Sequence, residues 1–306
     1  MIRTSTVFVL GAGASAPYGF DTGHKLLERA RSLSETDIVN LIAPPMPRSG
    51  VPPLLEALVH TGDLSVDAML ETRGNIQAPG KALIARLLLE QERAALQRRH
   101  QSSRDWYRTL FAAMDAPIPE EALAQNVRFV TFNYDRSLEY FLAHAWRVKF
   151  NPDQAVDPPA LRRMFIHLHG QLGFLPELGG EGQVVPYGGG AGGITETDVL
   201  GAGQAIKIIS EPHTDEPQFV EARSAIGEAD RVVLLGFGFA ARNLERLQLT
   251  RVMKPGAEVF ACATGFSQDQ MKMFIRRPLE PWVGKVIGGE GEDAYEFLRQ
   301  HPAALT

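Results

Sequence analysis

Val7-Phe-Val-Leu10, a short run of β-forming residues, ends directly on Gly11-Ala-Gly-Ala-Ser15. This junction limits what the chain can fold into more than any other feature. An apolar run without polar alternation is a strand covered on both faces, as in a parallel sheet. Glycines right after it permit a tight turn into a helix and let the backbone approach a diphosphate, whose charge the free N–H groups of the helix start can receive. The pattern departs from the usual dinucleotide fingerprint. Ala16 stands at the sixth position, Pro17 follows, and the next glycine is Gly19. No convincing acidic residue closes a second strand about 20 residues later. An ordinary dehydrogenase is therefore disfavoured, and a purely structural turn is the plain alternative.

Further apolar runs share the character of the first: Arg128–Phe132, Met164–Leu168, Ala205–Ile209, Arg231–Leu235 and Glu258–Cys262, with Val283–Ile287 a weaker candidate. Between the first two runs lie more than a hundred residues of helical character, including Thr22–Leu33 and the Gly- and Pro-free stretch Lys81–Arg99. Ser102-Ser-Arg-Asp105 supplies a capping-box pattern for a helix through Met114. A simple right-handed crossover needs far fewer residues. The expected fold class is α/β: a Rossmann-like, mostly parallel sheet with helices on both faces and an inserted helical subdomain. The Rossmann-like domain is expected over residues 1–34 and 116–306, and the helical insertion over 35–115. From Gly173 to Gly203 glycines crowd the sequence, so a loop is expected there, either a lid or a surface excursion.

The 306 residues carry a formal charge of -5, with 44% hydrophobic and 22% charged residues. That balance fits a globular protein and gives no electrostatic reason to expect direct nucleic-acid binding. Arg86, Arg93, Arg98, Arg99, Arg104 and Arg108 are interleaved with Glu90, Glu92 and Asp105, which reads as a solvated helix face. Cys262 is the single cysteine, so an internal disulfide and a cysteine-based zinc site are both excluded. No metal is expected. Arg3, the apolar run and Ala14-Ser-Ala16 imitate a secretory leader, yet cleavage there would delete the first strand, so a cytoplasmic protein without a membrane span is expected.

Three more motifs sit at strand ends, where an open parallel sheet binds its ligands. Thr131-Phe-Asn133-Tyr-Asp135 ends the second run, and Asn133 or Asp135 could instead cap the helix expected over Arg136–Trp146. His167-Leu-His169-Gly170 ends the third. Histidines two apart on a strand face opposite sides and do not share a metal. His169, next to Gly170, is the functional candidate, an imidazole able to take a proton from a ribose hydroxyl or water. His167 reads as packed, with its hydrogen bonds satisfied. Leu235-Gly236-Phe237-Gly238, before Arg242-Asn243, is either a second close-approach turn or a tight strand-to-helix connection.

These elements, in this order, resemble the sirtuin family, and more closely its bacterial anti-phage-defence NADase branch lacking the zinc ribbon. Gly11-Ala12-Gly13-Ala14-Ser15 is similar to the family's NAD-binding loop, and Thr131-Phe-Asn133-Tyr-Asp135 to its Thr-x-Asn-x-Asp motif. His169-Gly170 is similar to the catalytic His-Gly pair, and Gly236-Phe237-Gly238 to the Gly-Thr-Ser turn. Ser65-Val-Asp67-Ala-Met-Leu70 resembles an Asp-containing helix start of the defence branch. Two departures matter: the four-cysteine zinc ribbon is missing, and Phe20-Asp21-Thr22-Gly23 stands where Asp-Phe-Arg is usual.

The resemblance implies an NAD+ glycohydrolase with NAD as substrate. Asn133 would orient the ribose or water, His169 would act as base, and Asp135 would help hold the nicotinamide. Gly11, Ala12, Gly13, Ala14, Ser15, Thr22, Gly236, Phe237 and Gly238 would hold the rest of the dinucleotide. It further implies regulation through a homo-oligomer or a separately encoded ATPase or Argonaute-type partner. A zinc-independent NAD-dependent deacylase and a non-catalytic NAD or ADP-ribose sensor are the alternatives.

Overall fold

Thr6–Leu10 forms β1, buried along its whole length. It hydrogen-bonds in parallel to β2 (Val127–Thr131) on one side and β4 (Arg231–Leu235) on the other. β3 (Phe165–His167), β5 (Glu258–Ala261) and β6 (Lys285–Ile287) complete a single sheet of order β3-β2-β1-β4-β5-β6, parallel throughout. The computed structural model describes residues 1–42, 46–99, 101–118, 121, 126–150, 157–208, 216–262, 264–276, 279, 285–289 and 291–306.

Side chains alternate across a strand, and the sheet uses both faces. Phe8, Leu10, Phe129, Val233, Leu235 and Phe260 join one core with the helices of residues 23–113, the Ser137–Lys149 helix and the Ala294–Gln300 helix. Val7, Val9, Val130, Val232, Leu234 and Val259 join a second core with the Pro217–Glu228 helix. The fold is thus Rossmann-like, with the chain stepping outward from β1 through β2 to β3, then reversing direction at β4. That reversal is the topological switch point, and the crevice beyond the carboxyl ends of β1 and β4 is where such sheets bind ligands.

Thr22 is the N-cap of the Gly23–Arg31 helix, within the stretch expected to be helical. The long helix runs Gln77–Gln97, starting earlier than expected because Pro79 and Gly80 fall in its first turn, where a missing N–H costs nothing. Trp106–Ala113 is capped by Asp105, whose carboxylate accepts the Arg108 N–H at 3.2 Å; the Ser102 capping pattern is not used. The helix expected from Arg136 runs Ser137–Lys149.

Two expectations fail. Ala205–Ile208 is not a strand: Ala205 ends the Glu196–Ala205 helix, and only Ile206 bridges Gly170, antiparallel. Ile209 lies outside the described residues, as do Val283 and Gly284. Because that helix begins at Glu196, the glycine-rich loop is shorter than expected. Thr195 and Asp198 form a reciprocal capping box that launches this helix. Gly203 of this helix faces Ala82 of the long helix, in ordinary contact at 3.4 Å from where a β-carbon would sit. Among the described residues no helix is long and apolar enough to cross a membrane.

Candidate functional site at the sheet switch point

The two glycine turns lock into each other. Ala12–Ser15 is a single helical turn starting straight off β1, not an open loop. Gly11 N–H donates to Leu235 O and Gly13 N–H to Gly236 O, both at 3.1 Å. A β-carbon on Gly11 would lie 2.5 Å from the Gly236 carbonyl oxygen, and one on Gly13 2.9 Å from Gly236 Cα. Gly236 itself has φ +58, and a β-carbon there would run into the Ala14 nitrogen. Glycine at 11, 13 and 236 is therefore demanded by the approach of one turn to the other. Ala12 and Gly13 remain partly exposed, and Gly238 is exposed with open space around it. Trp106 braces the first turn by donating its indole N–H to Ala14 O at 2.8 Å.

Asn133 stands beside this turn at the end of β2. It is 8% exposed, and its Nδ2 donates to Gly11 O at 3.1 Å and Ser15 Oγ at 3.2 Å. Its Oδ1 is buried with no partner among the described residues. Asp135, two residues on, accepts the Ser137 N–H at 3.1 Å and the Ser137 hydroxyl. It thereby caps the start of the Ser137–Lys149 helix, and burial raises the pKa of its carboxyl group. Tyr107 OH closes this buried chain on Ser137 Oγ at 2.6 Å.

His167 and His169 point to different surroundings, as strand geometry requires. His167 is packed with both ring nitrogens engaged, one on Asn133 O and one on Glu139 Oε2, each at 3.1 Å. Burial opposes its protonation, but the Glu139 carboxylate outweighs that and holds it above the ordinary histidine range. His169 lies between Phe132 and Phe219, with ring centroids 5.6 and 6.0 Å away. Burial, with Arg246 adding to it, pushes its pKa down to about 4. It is a neutral imidazole at pH 7, the form that can accept a proton.

His169 opens on a cavity of about 250 Å³ shared with Asp67, Glu71, Phe132, Tyr134, Lys207, Arg242 and Arg246, among others. Asn133 and the glycine turns do not line it. The strand-end candidates therefore form two clusters, Asn133 with Gly11 and Ser15, and His169 with the cavity. Phe132 lies beside Phe237 of the second turn, ring centroids 5.3 Å apart. No group of His, Cys, Asp and Glu able to hold a metal ion occurs among the described residues.

A third buried feature underlies the site. Arg136, fully buried, grips Glu92 with two bonds of 3.1 and 2.7 Å, and donates also to Gly173 O and Val185 O. Glu92 in turn accepts the Gly188 N–H at 2.9 Å. The glycine-rich segment is thus tied down at residues 173, 185 and 188. Neither this pair nor Glu139 stands out in the sequence, because each partner lies 28 to 44 residues away with no local pattern. Glu92 hid among the alternating charges of a helix that reads as solvated.

No family model matches the chain, and no curated protein matches it. Among solved structures the chain is similar to the crystal structure of a Sir2 homologue in complex with NAD, with a TM-score of 0.44 and 16% identity over 98% of this chain and 90% of that one.

Proposed function

We propose that this protein is an NAD+ glycohydrolase, cleaving the nicotinamide–ribose bond with water as acceptor to give nicotinamide and ADP-ribose. The observation that carries this is the Asn133 amide. Its Nδ2 is fixed by Gly11 O and Ser15 Oγ, while Oδ1 is buried beside the switch point and unpartnered among the described residues. A buried acceptor without a partner costs about 1–3 kcal/mol. A ribose hydroxyl or an attacking water hydrogen-bonded to Oδ1 would relieve that cost in the complex.

The cleaved bond passes through an oxocarbenium-like transition state, so the protein must steady a cationic sugar and deliver a nucleophile. Asn133 orients the ribose or water. His169, neutral, accepts the proton. Asp135 stands on the nicotinamide side, and the Gly11–Ser15 and Gly236–Gly238 turns, with Thr22, hold the diphosphate and ribose. With one cysteine the chain carries no four-cysteine zinc ribbon, the module that walls the acyl-lysine tunnel in deacylating sirtuins, and this supports water over a peptide acceptor. Similarity of the strand-end motifs to the defence sirtuins extends the proposal to controlled NAD depletion during phage infection. The switch would be set by self-assembly or by a separately encoded ATPase or Argonaute-type partner.

A second function, an NAD- or ADP-ribose-sensing module, is favoured by two observations. The Gly11–Gly236 interlock and the Asp135–Ser137 cap account for two of the motifs without chemistry. Chromatography of NAD incubated with the wild-type protein and with Asn133→Ala separates the two. Nicotinamide release that falls at least about a hundredfold in the variant, the loss typical of an oriented transition-state group, supports the enzyme. Tight NAD binding with no release supports the sensor, and undiminished release in the variant rejects the role of Asn133.

A further inference from the structure

Asp67 belongs to the Ser65–Leu70 motif and stands apart from Asn133, Asp135 and His169 in the sequence. It sits on the Val66–Glu71 helix, whose N-cap Ser65 accepts the Ala68 N–H at 3.2 Å. Its carboxylate lines the 250 Å³ cavity opposite the strand ends that carry Tyr134 and His169. Tyr134 donates its phenol O–H to Asp67 Oδ1 and is the one side chain bonded to Asp67 among the described residues. At the rim, Arg242 is more than half exposed and reaches Glu71, and Lys207 adds a second exposed cation, while Arg246 is buried 3.9 Å from Glu71.

The lining therefore combines a carboxylate oriented by a phenol, an aromatic wall at Phe132, and cations at the mouth. A carboxylate in a partly apolar cavity is an acceptor for hydroxyl groups, and a vicinal diol can use both of its oxygens. Guanidinium and ammonium groups at the mouth suit a phosphate. The cleft has a volume of about 250 Å³, of the order that one sugar and its phosphate would occupy within a larger ligand.

We propose that this cavity is a ribose-phosphate subsite in which Asp67, oriented by Tyr134, holds the sugar diol while Arg242 at the rim meets the attached phosphate. The choice of a ribosyl ligand rests on the NAD proposal above. It adds a substrate-binding residue from the helical segment to a site otherwise built from strand ends. His169 then faces the held sugar from the other wall.

Calorimetry with two probes, ADP-ribose and ADP, tests this, since only the first carries the second ribose. Wild-type protein should bind ADP-ribose at least about tenfold more tightly than ADP, the yield of one hydrogen bond to a charged group. Asp67→Asn should bring the two affinities to within about threefold while leaving ADP binding unchanged, again on the scale of that one bond. Ala68→Leu, which fills the cavity without touching the Asp67–Tyr134 bond, should do the same and decides the matter if Asp67→Asn does not fold. Equal wild-type affinities, no binding of either probe, retained discrimination in the variants, or equal loss of both probes would each overturn the subsite. Nicotinamide release is read separately on the same preparations. ADP-ribose discrimination without NAD cleavage leaves the subsite standing and removes the hydrolase, whereas NAD cleavage with unaltered discrimination in both variants removes the subsite alone.

Discussion

Glu92→Gln should destabilise the protein more than most single substitutions. Both members of the Glu92–Arg136 pair are fully buried, joined by bonds of 3.1 and 2.7 Å. Removing one charge strands the other in a medium that cannot solvate it, and breaking such a pair costs about 3–5 kcal/mol. Glutamine keeps the shape and one acceptor, which sets the expectation at the lower end, about 3 kcal/mol. Glu92→Ala also orphans the Gly188 N–H, which now donates to Glu92 at 2.9 Å, and should reach the upper end, about 5 kcal/mol. For a chain of this size each kcal/mol moves Tm by roughly 2 °C. Differential scanning calorimetry should then show drops of about 6 °C for the glutamine variant and about 10 °C for alanine. Arg136→Met should be as damaging, because Gly173 O and Val185 O lose their donor. Drops below about 2 °C for both Glu92 variants would show that the pair is not buried as described.

Other outcomes follow from the same geometry. His169 has a folded-state pKa of about 4 against 6.5 for the free group, so the unfolded chain takes up its proton first as pH falls. Its contribution is complete above pH 6.5 and is lost between 6.5 and 4, worth about 3 kcal/mol in all. Urea unfolding across that window should show this slope in the wild type and not in His169→Gln; parallel curves would refute the assignment. Gly236→Ala should lower Tm steeply, since the left-handed φ alone costs about 1–2 kcal/mol and the added carbon collides with the first turn. Gly238→Ala, in open space, should stay within about 0.5 kcal/mol of wild type, and equal effects at both positions would contradict the interlock. Trp106→Phe should cost about 1–3 kcal/mol by leaving Ala14 O unpaired, measurable by the same unfolding assay.

The sheet was legible wherever apolar β-formers run uninterrupted toward a turn residue. β1, β2, β4 and β5 are such strands because both faces are covered, which erases any polar alternation. The helix over Glu196–Ala205 was not legible, since Gly201 and Gly203 read as breakers although both lie buried inside it, Gly203 against Ala82 and Gly201 against Gln183 and Val185. Thr195 and Asp198, three apart, were the available signal. Asn133, Asp135 and His169 stand out because polar residues at the carboxyl ends of buried parallel strands lie where such sheets bind ligands. What each of them touches did not stand out. Asp135 is engaged by Ser137, His167 by Glu139, and Asp67 by Tyr134 across 67 residues of chain. Such pairings depend on how distant segments pack, which no local spacing encodes. The glycine motif carries more than its pattern suggests: Gly11 and Gly13 also meet Gly236, a turn more than 200 residues away.

The proposed reaction is cleavage of NAD with water as the acceptor. Incubating it with NAD in ¹⁸O-enriched water, with mass analysis of the products, tests that most directly. Nicotinamide and ADP-ribose in equal amounts, with one heavy oxygen on the newly freed ribose carbon, is the predicted result. Intact NAD, or an ADP-ribosyl product carrying no solvent oxygen, would contradict it.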